Sequence, residues 1–175
     1  MTKQKIPLER AREIAIDLVN ELRPYCERIE IAGSVRRGKA EVGDIEICAI
    51  PKDKVDMFGA GTGEHQLDEV DWHKYGKVIK NGHKYKQIEL PAINLDLFIV
   101  TFPAQWGVQF IIRTGSADYS HRFVTPKSYG GLMPAHLHVK NGAIWCGDKL
   151  VETPEEEDVY RLIGEKWIAP QERTA

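Results

Sequence analysis

The chain has 175 residues, of which 42% are hydrophobic and 29% charged, and a formal net charge of -2 at pH 7. This composition is typical of an ordinary globular protein with a buried core, and the net charge gives no overall basic field for nucleic acid. No run of about 18 apolar residues occurs, and Met1 leads into a charged segment, so we expect no membrane insertion or secretion and a cytoplasmic location. The three cysteines are an odd count with no Cys-x-x-Cys pair, which argues against both a disulfide framework and a zinc site.

The first predicted element is a helix from Pro7 to Leu22. Apolar residues recur there at the i, i+3, i+4, i+7 spacing of a helix with one buried face, and Pro24 ends it. We expect this helix to cover part of the core.

The segment 29–50 reads as strand, glycine-rich turn and strand. Ile29 to Ile31 forms the first strand, and Asp44 to Ile50 the second. Side chains two apart on a strand share a face, so Asp44 and Glu46 stand together while Ile45 points to the core. Adjacent carboxylates repel each other unless a cation lies between them, and Mg²⁺ is commonly held by carboxylates together with a substrate's phosphates.

The next segment, 51–90, contains a glycine cluster and a basic run. Gly59 to Gly63 lacks the Gly-Lys-Ser/Thr ending of a phosphate-binding loop, so we predict a flexible surface loop there. Asn81-Gly82 predicts a hairpin turn between 77–80 and 83–86, and 87–90 predicts another strand. The lysines of this region either contact a nucleic-acid backbone or are simply solvated: Lys74, Lys77, Lys80, Lys84 and Lys86.

The predicted strand 93–100 carries Asp96 among apolar residues. Taken alone, Asp96 reads as an edge-strand residue that faces water. A buried carboxylate without a partner costs several kcal/mol, however, and the Asp44 and Glu46 pair makes a third metal carboxylate the preferred interpretation.

The rest of the chain predicts a strand, two helices and a small sheet. We expect a strand over 106–112 and a helix over 117–124, with Ser116 or Asp118 as its N-cap. Short strands follow at 136–139, 143–146 and 149–151, with His136 and His138 read as surface residues and Asn141-Gly142 as a turn. A capping box in Thr153 to Glu156 predicts a helix to Ile163.

One motif resembles a known family. Gly33-Ser34-x-x-Arg37-x-x-x-x-x-Gly43-Asp44-x-Glu46 is similar to the nucleotidyltransferase signature of the DNA polymerase beta superfamily, in its family X form. Glu46 stands where those polymerases have a second Asp. Thr114-Gly115-Ser116 resembles the family's Tyr-Phe-Thr-Gly-Ser turn, although Ile112 and Arg113 replace the two aromatics.

The resemblance implies a fold and a function. It implies an α+β nucleotidyltransferase palm with a mixed sheet and helices over residues 1–105, and a small C-terminal α/β thumb subdomain over 106–175. The implied activity is template-directed DNA synthesis from dNTP, with rNTP as the alternative substrate, on a primer-template or gapped DNA, by a monomer with no membrane partner. Two Mg²⁺ (or Mn²⁺) ions would be held by the catalytic residues Asp44, Glu46 and Asp96.

The same resemblance implies a set of nucleotide-binding residues. Arg37 would contact two phosphate oxygens, whereas Arg36 would be solvated or would pair with Glu41. Lys5 would take the place of an arginine that precedes an Ile-Pro pair in the family. The implied nucleotide-binding residues are Gly33, Ser34, Arg37, Gly43, Thr114, Gly115, Ser116 and Lys5.

Two other functions are compatible with the residues. One is a nucleotidyltransferase that modifies RNA ends or a small acceptor, because the Gly-Ser and Asp-x-Asp/Glu signature occurs in those branches as well. The other is a catalytically silent protein that binds nucleic acid or nucleotide. Metal-dependent release of pyrophosphate would exclude the second.

Overall fold

A computed structural model describes residues 5–173 of the chain as a mixed α+β structure. The five α-helices of this part are α1 (Leu8–Leu22), α2 (Gly33–Arg36), α3 (Trp106–Thr114), α4 (Ala117–Val124) and α5 (Glu156–Ile163). The strands are β1 (Ile6–Pro7), β2 (Cys26–Ile31), β3 (Glu41–Val42), β4 (Asp44–Pro51), β5 (Asp53–Val55), β6 (Gly61–His65), β7 (Lys77–Asn81), β8 (Tyr85–Glu89), β9 (Asn94–Ile99), β10 (His138–Lys140), β11 (Ala143–Cys146) and β12 (Lys149–Val151). No helix among these residues is long and apolar enough to span a bilayer.

The described chain divides into two compact units. The first comprises the residues up to Val35 together with Lys39–Ile99, and the second comprises Arg36–Gly38 and the residues from Val100 onward. The palm and thumb assignments of 1–105 and 106–175 stay predictions.

The first unit is built on a five-stranded mixed sheet with the order β2-β4-β9-β8-β7. Strands β4 and β9 are parallel, and the other neighbours are antiparallel. The core contains Ile45, as predicted, together with Ile47, and helix α1 contributes Ala11, Ala15, Leu18, Val19 and Leu22 to the same cluster. The predicted helix, the strand pair around the glycine motif and the hairpin that follows Lys77 are confirmed. The second strand of that hairpin is Tyr85–Glu89, so the prediction of a separate strand over 87–90 is wrong.

The glycine cluster is more ordered than we predicted. Residues 59–63 are exposed, as expected of a surface loop, but β5 and β6 pair as an antiparallel hairpin, so Gly61 to Gly63 belong to a strand and not to the predicted loop. The carboxylate of Asp56 accepts hydrogen bonds from the backbone N–H groups of Phe58 and Ala60 and organises the turn of this hairpin.

The second unit contains α3, α4, α5 and a three-stranded antiparallel sheet β10-β11-β12. The predicted strand over 106–112 is wrong, because these residues form α3. Six of its nine residues are buried, and a helix that is apolar on most sides has no polar face to reveal its period. Gly107 allows the segment before α5 to pack closely against α3, since a Cβ at residue 107 would overlap with the carbonyl group of Glu155.

Two smaller predictions for this unit need correction. The strand predicted from His136 begins at His138. The capping box of α5 is formed by Glu155 and Asp158 rather than by Thr153 and Glu156, because Glu156 is already inside the helix and is turned into the interior. The end of α5 at Ile163 and the helix over 117–124 with Ser116 as its N-cap are confirmed.

Candidate active site

The predicted catalytic carboxylates lie on two paired parallel strands. In the register of β4 and β9, Asp44 pairs with Asn94 and Glu46 pairs with Asp96. Half-buried and fully buried residues alternate along β9 and along residues 44–47 of β4, and Ile45, Ile47, Leu95 and Leu97 are each 0% exposed. Since register partners on parallel strands point to the same side, Asp44, Glu46 and Asp96 share the face opposite the core.

Asp96 is held by two donors from the neighbouring strand β8. Its Oδ1 accepts a hydrogen bond of 2.7 Å from the Tyr85 hydroxyl and one of 2.9 Å from Nε2 of Gln87. Gln87 is the direct partner of Asp96 in the antiparallel register, and the Tyr85 ring stacks on Phe98. These contacts fix the carboxylate while Oδ2 accepts no hydrogen bond among the described residues.

The sequence analysis did not identify Tyr85 and Gln87. In the structure they alternate with Lys86 and Ile88 along β8, but the burial of a lysine has no signal in the sequence. That alternation puts both polar side chains on one face.

Gly33 lies directly beside Glu46. The backbone N–H of Ala32 donates to the carbonyl oxygen of Glu46 at 2.8 Å, which brings the start of α2 against β4. Gly33 has a φ of +60°, and a Cβ at this position would overlap with the Glu46 carboxyl group. Glycine is therefore required at residue 33 both for the backbone conformation and for the Glu46 side chain.

Ser34 follows with a hydroxyl that has no internal partner. Its buried Oγ forms no hydrogen bond within residues 5–173. A buried hydroxyl without a partner costs about 1–3 kcal/mol, so an acceptor or donor on a ligand would stabilise it.

Lys5 and Gly43 are brought together by the short pairing of β1 with β3, in which Ile6 pairs with Val42. A Cβ built at Gly43 would lie 4.0 Å from Cγ of Lys5, and Lys5 itself is exposed. An ammonium group is thus available next to the strand that carries Asp44.

Arg36 has a role that the sequence analysis missed. Its guanidinium forms two hydrogen bonds of 2.8 Å with the Glu156 carboxylate and donates to Oγ1 of Thr114 at 2.7 Å. It also lies 3.8 Å from the centre of the Phe110 ring. The predicted alternatives for Arg36, solvation or a pair with Glu41, are both wrong.

Glu156 is shared between two arginines inside the second unit. Arg173 is 1% exposed and donates from Nη1 to Glu156 at 2.8 Å and from Nη2 at 3.1 Å. Burial alone raises the pKa of the Glu156 carboxyl, but the hydrogen bonds and charges of Arg36 and Arg173 outweigh burial and lower it to about 2. No sequence signal links these residues, because Glu156 is 120 positions from Arg36.

The remaining predicted nucleotide-binding residues lie at the junction of α3 and α4. Thr114 is the buried last residue of α3, Gly115 follows the helix, and Ser116 accepts a hydrogen bond from the backbone N–H of Tyr119. Nη1 of Arg37 donates to the backbone carbonyls of Thr114 and Gly115.

The predicted basic run is smaller in the structure than in the sequence. Lys86 is 1% exposed, and its ammonium donates to Asp68 at 2.8 Å and to Asn81 at 2.7 Å. It is therefore unable to face a nucleic acid. Lys74, Lys77, Lys80 and Lys84 are exposed.

A divalent metal would suit the chemistry of the three carboxylates, but their oxygen atoms do not form a tight metal cage. The three carboxylates lie on one face, and the Ser34 hydroxyl is close to Asp44 and Glu46 in the sequence. Together they form the oxygen-only donor set that Mg²⁺ and Mn²⁺ prefer. Within residues 5–173, however, the one trio whose ligand atoms all lie within 4.8 Å of one another is a different group: His65, Asp68 and His83. Asp44, Glu46 and Asp96 are therefore more widely spaced.

No protein-family model matches this chain, and no curated protein is significantly similar to it. The resemblance to family X polymerases therefore rests on the sequence motifs quoted above.

Proposed function

We propose that this chain is a nucleotidyltransferase of the family X polymerase type, a minimal palm-plus-thumb enzyme that adds dNTP to a primer 3′-hydroxyl during gap filling or repair. The observation that carries the proposal is the in-register pairing of Glu46 with Asp96 on parallel strands, with Asp44 two residues away on the same face. Three carboxylates on one sheet face supply the oxygen ligands that Mg²⁺ and Mn²⁺ prefer.

In this proposal Asp44 and Glu46 would hold both Mg²⁺ or Mn²⁺ ions, and Asp96 would hold one of them. When bound, two such ions lower the pKa of an attacking hydroxyl and neutralise charge on a pyrophosphate leaving group. Tyr85 and Gln87 keep Oδ1 of Asp96 oriented, so its Oδ2 is left to accept the proton of the 3′-hydroxyl.

The triphosphate would be bound by residues of the glycine motif. The unpartnered Oγ of Ser34 would donate to a phosphate oxygen, and Lys5 beside Gly43 would supply a positive charge. Gly33 allows the chain to pass close to Glu46, so its role is to admit the carboxylate. Arg37, Thr114, Gly115 and Ser116 stay predicted nucleotide contacts on the strength of the resemblance.

A second candidate is nucleotide addition to RNA ends or a small acceptor. The net charge of -2 and the burial of Lys86 favour this alternative, because both reduce the electrostatic attraction to a long duplex. Both versions of the proposal include a cytoplasmic location and a monomeric state.

A templated extension assay tests the proposal and separates the two candidates. The purified chain is given a one-nucleotide gapped duplex, Mg²⁺ and each dNTP or rNTP in turn. Incorporation that follows the template base supports the polymerase. Addition that ignores the template supports the alternative, and failure to release pyrophosphate with DNA, RNA or small acceptors contradicts both.

A further inference from the structure

Three potential metal ligands meet in the first unit at a place that the proposed nucleotidyl transfer does not use. His65 is the last residue of β6, Asp68 ends the 3-10 helix Gln66–Asp68, and His83 lies in the turn between β7 and β8. One ligand atom from each lies within 4.8 Å of the other two. We propose that His65, Asp68 and His83 bind one transition-metal ion of the Zn²⁺ class, separately from the Mg²⁺ of catalysis.

The hydrogen bond of His65 determines which of its nitrogens is available. Its Nε2 lies 2.8 Å from the backbone carbonyl oxygen of His83, and because a carbonyl only accepts, Nε2 carries the proton. The neutral ring then has its lone pair on Nδ1, an atom that is buried and makes no hydrogen bond among the described residues. Metal-binding histidines typically donate their second N–H to a backbone carbonyl in this way.

That lone pair faces a carboxylate oxygen. Nδ1 of His83 donates a hydrogen bond of 3.3 Å to Oδ2 of Asp68, and Nδ1 of His65 lies 3.4 Å from the same oxygen. The lone pair of His65 Nδ1 and the carboxylate oxygen repel each other at this distance unless a cation lies between them. Ligands about 2.0–2.1 Å from a tetrahedral zinc ion are about 3.3–3.4 Å apart, so both separations match two edges of a zinc tetrahedron.

Lys86 determines which metals suit the site. Its buried ammonium holds Oδ1 of Asp68 at 2.8 Å, which orients Oδ2 toward the imidazoles. Burial raises the pKa of the Asp68 carboxyl, but Lys86 outweighs burial and the net shift is downward, so the carboxylate is ionised near neutral pH. Because Lys86 already cancels that charge, hard cations such as Mg²⁺ gain little here, whereas metals bound through imidazole nitrogen still gain two ligands.

His83 is the adaptable ligand. Its side chain is 46% exposed, and its ring stacks on that of His65 with centroids 4.3 Å apart. It can turn about χ2 so that a ring nitrogen faces the ion. Three protein ligands leave a fourth position for water, and the ion would link the end of β6 to the β7–β8 turn.

The test is calorimetric titration of the EDTA-treated chain, carrying no histidine tag, with ZnCl₂ and separately with MgCl₂ at pH 7.5. We expect one Zn²⁺ per chain, and no Mg²⁺ binding that competes with it. His83→Ala removes an exposed ligand, so it is expected to fold and to bind Zn²⁺ at least about tenfold more weakly.

One matched control is His73→Ala, which removes an exposed histidine of the same unit. The other is His136→Ala, which removes one of two exposed histidines that lie close together in the sequence of the second unit, His136 and His138. Both should bind Zn²⁺ like the parent chain. In parallel, ¹⁵N NMR of the histidine rings should show Zn²⁺ shifting the Nδ1 signals of His65 and His83. Unchanged binding in His83→Ala, loss of binding in His136→Ala, or ring signals that respond to pH but not to Zn²⁺ would overturn the proposal.

Discussion

Glu46 on β4 and Asp96 on β9 are direct partners in a parallel register, and both side chains project from the face of the sheet that lies opposite the core. Asp44 precedes Glu46 by two residues and shares that face. Each further prediction about this site depends on how neighbouring residues position these carboxylates.

Tyr85 should act by positioning Asp96. Tyr85→Phe keeps the ring stack on Phe98 but removes the 2.7 Å hydrogen bond to Oδ1 of Asp96. We expect the Mg²⁺ concentration for half-maximal extension to rise about tenfold, while the rate at saturating Mg²⁺ changes less. Tyr129→Phe, which alters a tyrosine that is 83% exposed, is the control. An unchanged Mg²⁺ dependence would exclude the positioning role.

Gly33 should be required because it leaves room for the Glu46 side chain, and not only because residue 33 has a positive φ. A Cβ in Gly33→Ala would lie 2.9 Å from Cβ of Glu46 and would overlap with the carboxylate. Displacing a reacting group by about 1 Å can reduce the rate about 10²-fold, and we expect a loss of that size.

Gly63→Ala is the matched control for this variant, because Gly63 also has a positive φ, +79°, but nothing within 4 Å of its Cβ position. Both variants should lose about 1–2 kcal/mol of unfolding free energy from the left-handed backbone. Equal extension rates in the two variants would contradict the steric argument.

Glu46→Asp tests the residue at which the chain departs from the polymerase motif. Aspartate keeps the charge on a stem one methylene shorter, so we expect extension to be retained or increased. Glu46→Gln keeps the length but removes the charge and should lose activity. If the aspartate variant were as inactive as the glutamine variant, the analogy to the second motif aspartate would fail.

Much of this site follows from sequence pattern alone. The alternation around Asp44 and Glu46 and the lone acid within the apolar strand at Asp96 are both signals of period two. The parallel register that makes Glu46 and Asp96 partners is a long-range property, and no local signal specifies it.

The errors of prediction have physical causes as well. Helix α3 is apolar on most sides, so its residues 106–112 match a buried strand equally well. The contacts of Arg36 with Glu156, and of Lys86 with Asp68, depend on tertiary packing that brings distant charges together. From the sequence alone such residues are predicted to be solvated, because charged side chains are seldom buried without a partner.

Glu156 should make the second unit sensitive to acid. Its pKa is lowered to about 2 from an ordinary 4.5, so its stabilising effect is complete above about pH 4.5 and is lost as the pH falls toward 2. Glu156→Gln leaves Arg36 and Arg173 without their counter-charge and should lower the unfolding free energy at pH 7 by about 3–5 kcal/mol.

Urea unfolding of the parent chain and of Glu156→Gln at several pH values measures this effect, with the exposed neighbour in Glu157→Gln as the control. The deficit of Glu156→Gln should shrink as the pH falls from about 4.5 toward 2. A deficit that stays constant with pH would show that the ionised carboxylate is not the stabilising form.

The central claim is that Asp44, Glu46 and Asp96 together form a metal-dependent nucleotidyl-transfer site. The most direct measurement is Mg²⁺-dependent nucleotide addition to a gapped primer by the parent chain, Asp44→Asn and Asp96→Asn, with the exposed Asp53→Asn as the matched control. We expect both site variants to lose at least about 10²-fold in rate and Asp53→Asn to match the parent. Extension by Asp44→Asn or Asp96→Asn at the parental rate would contradict the account.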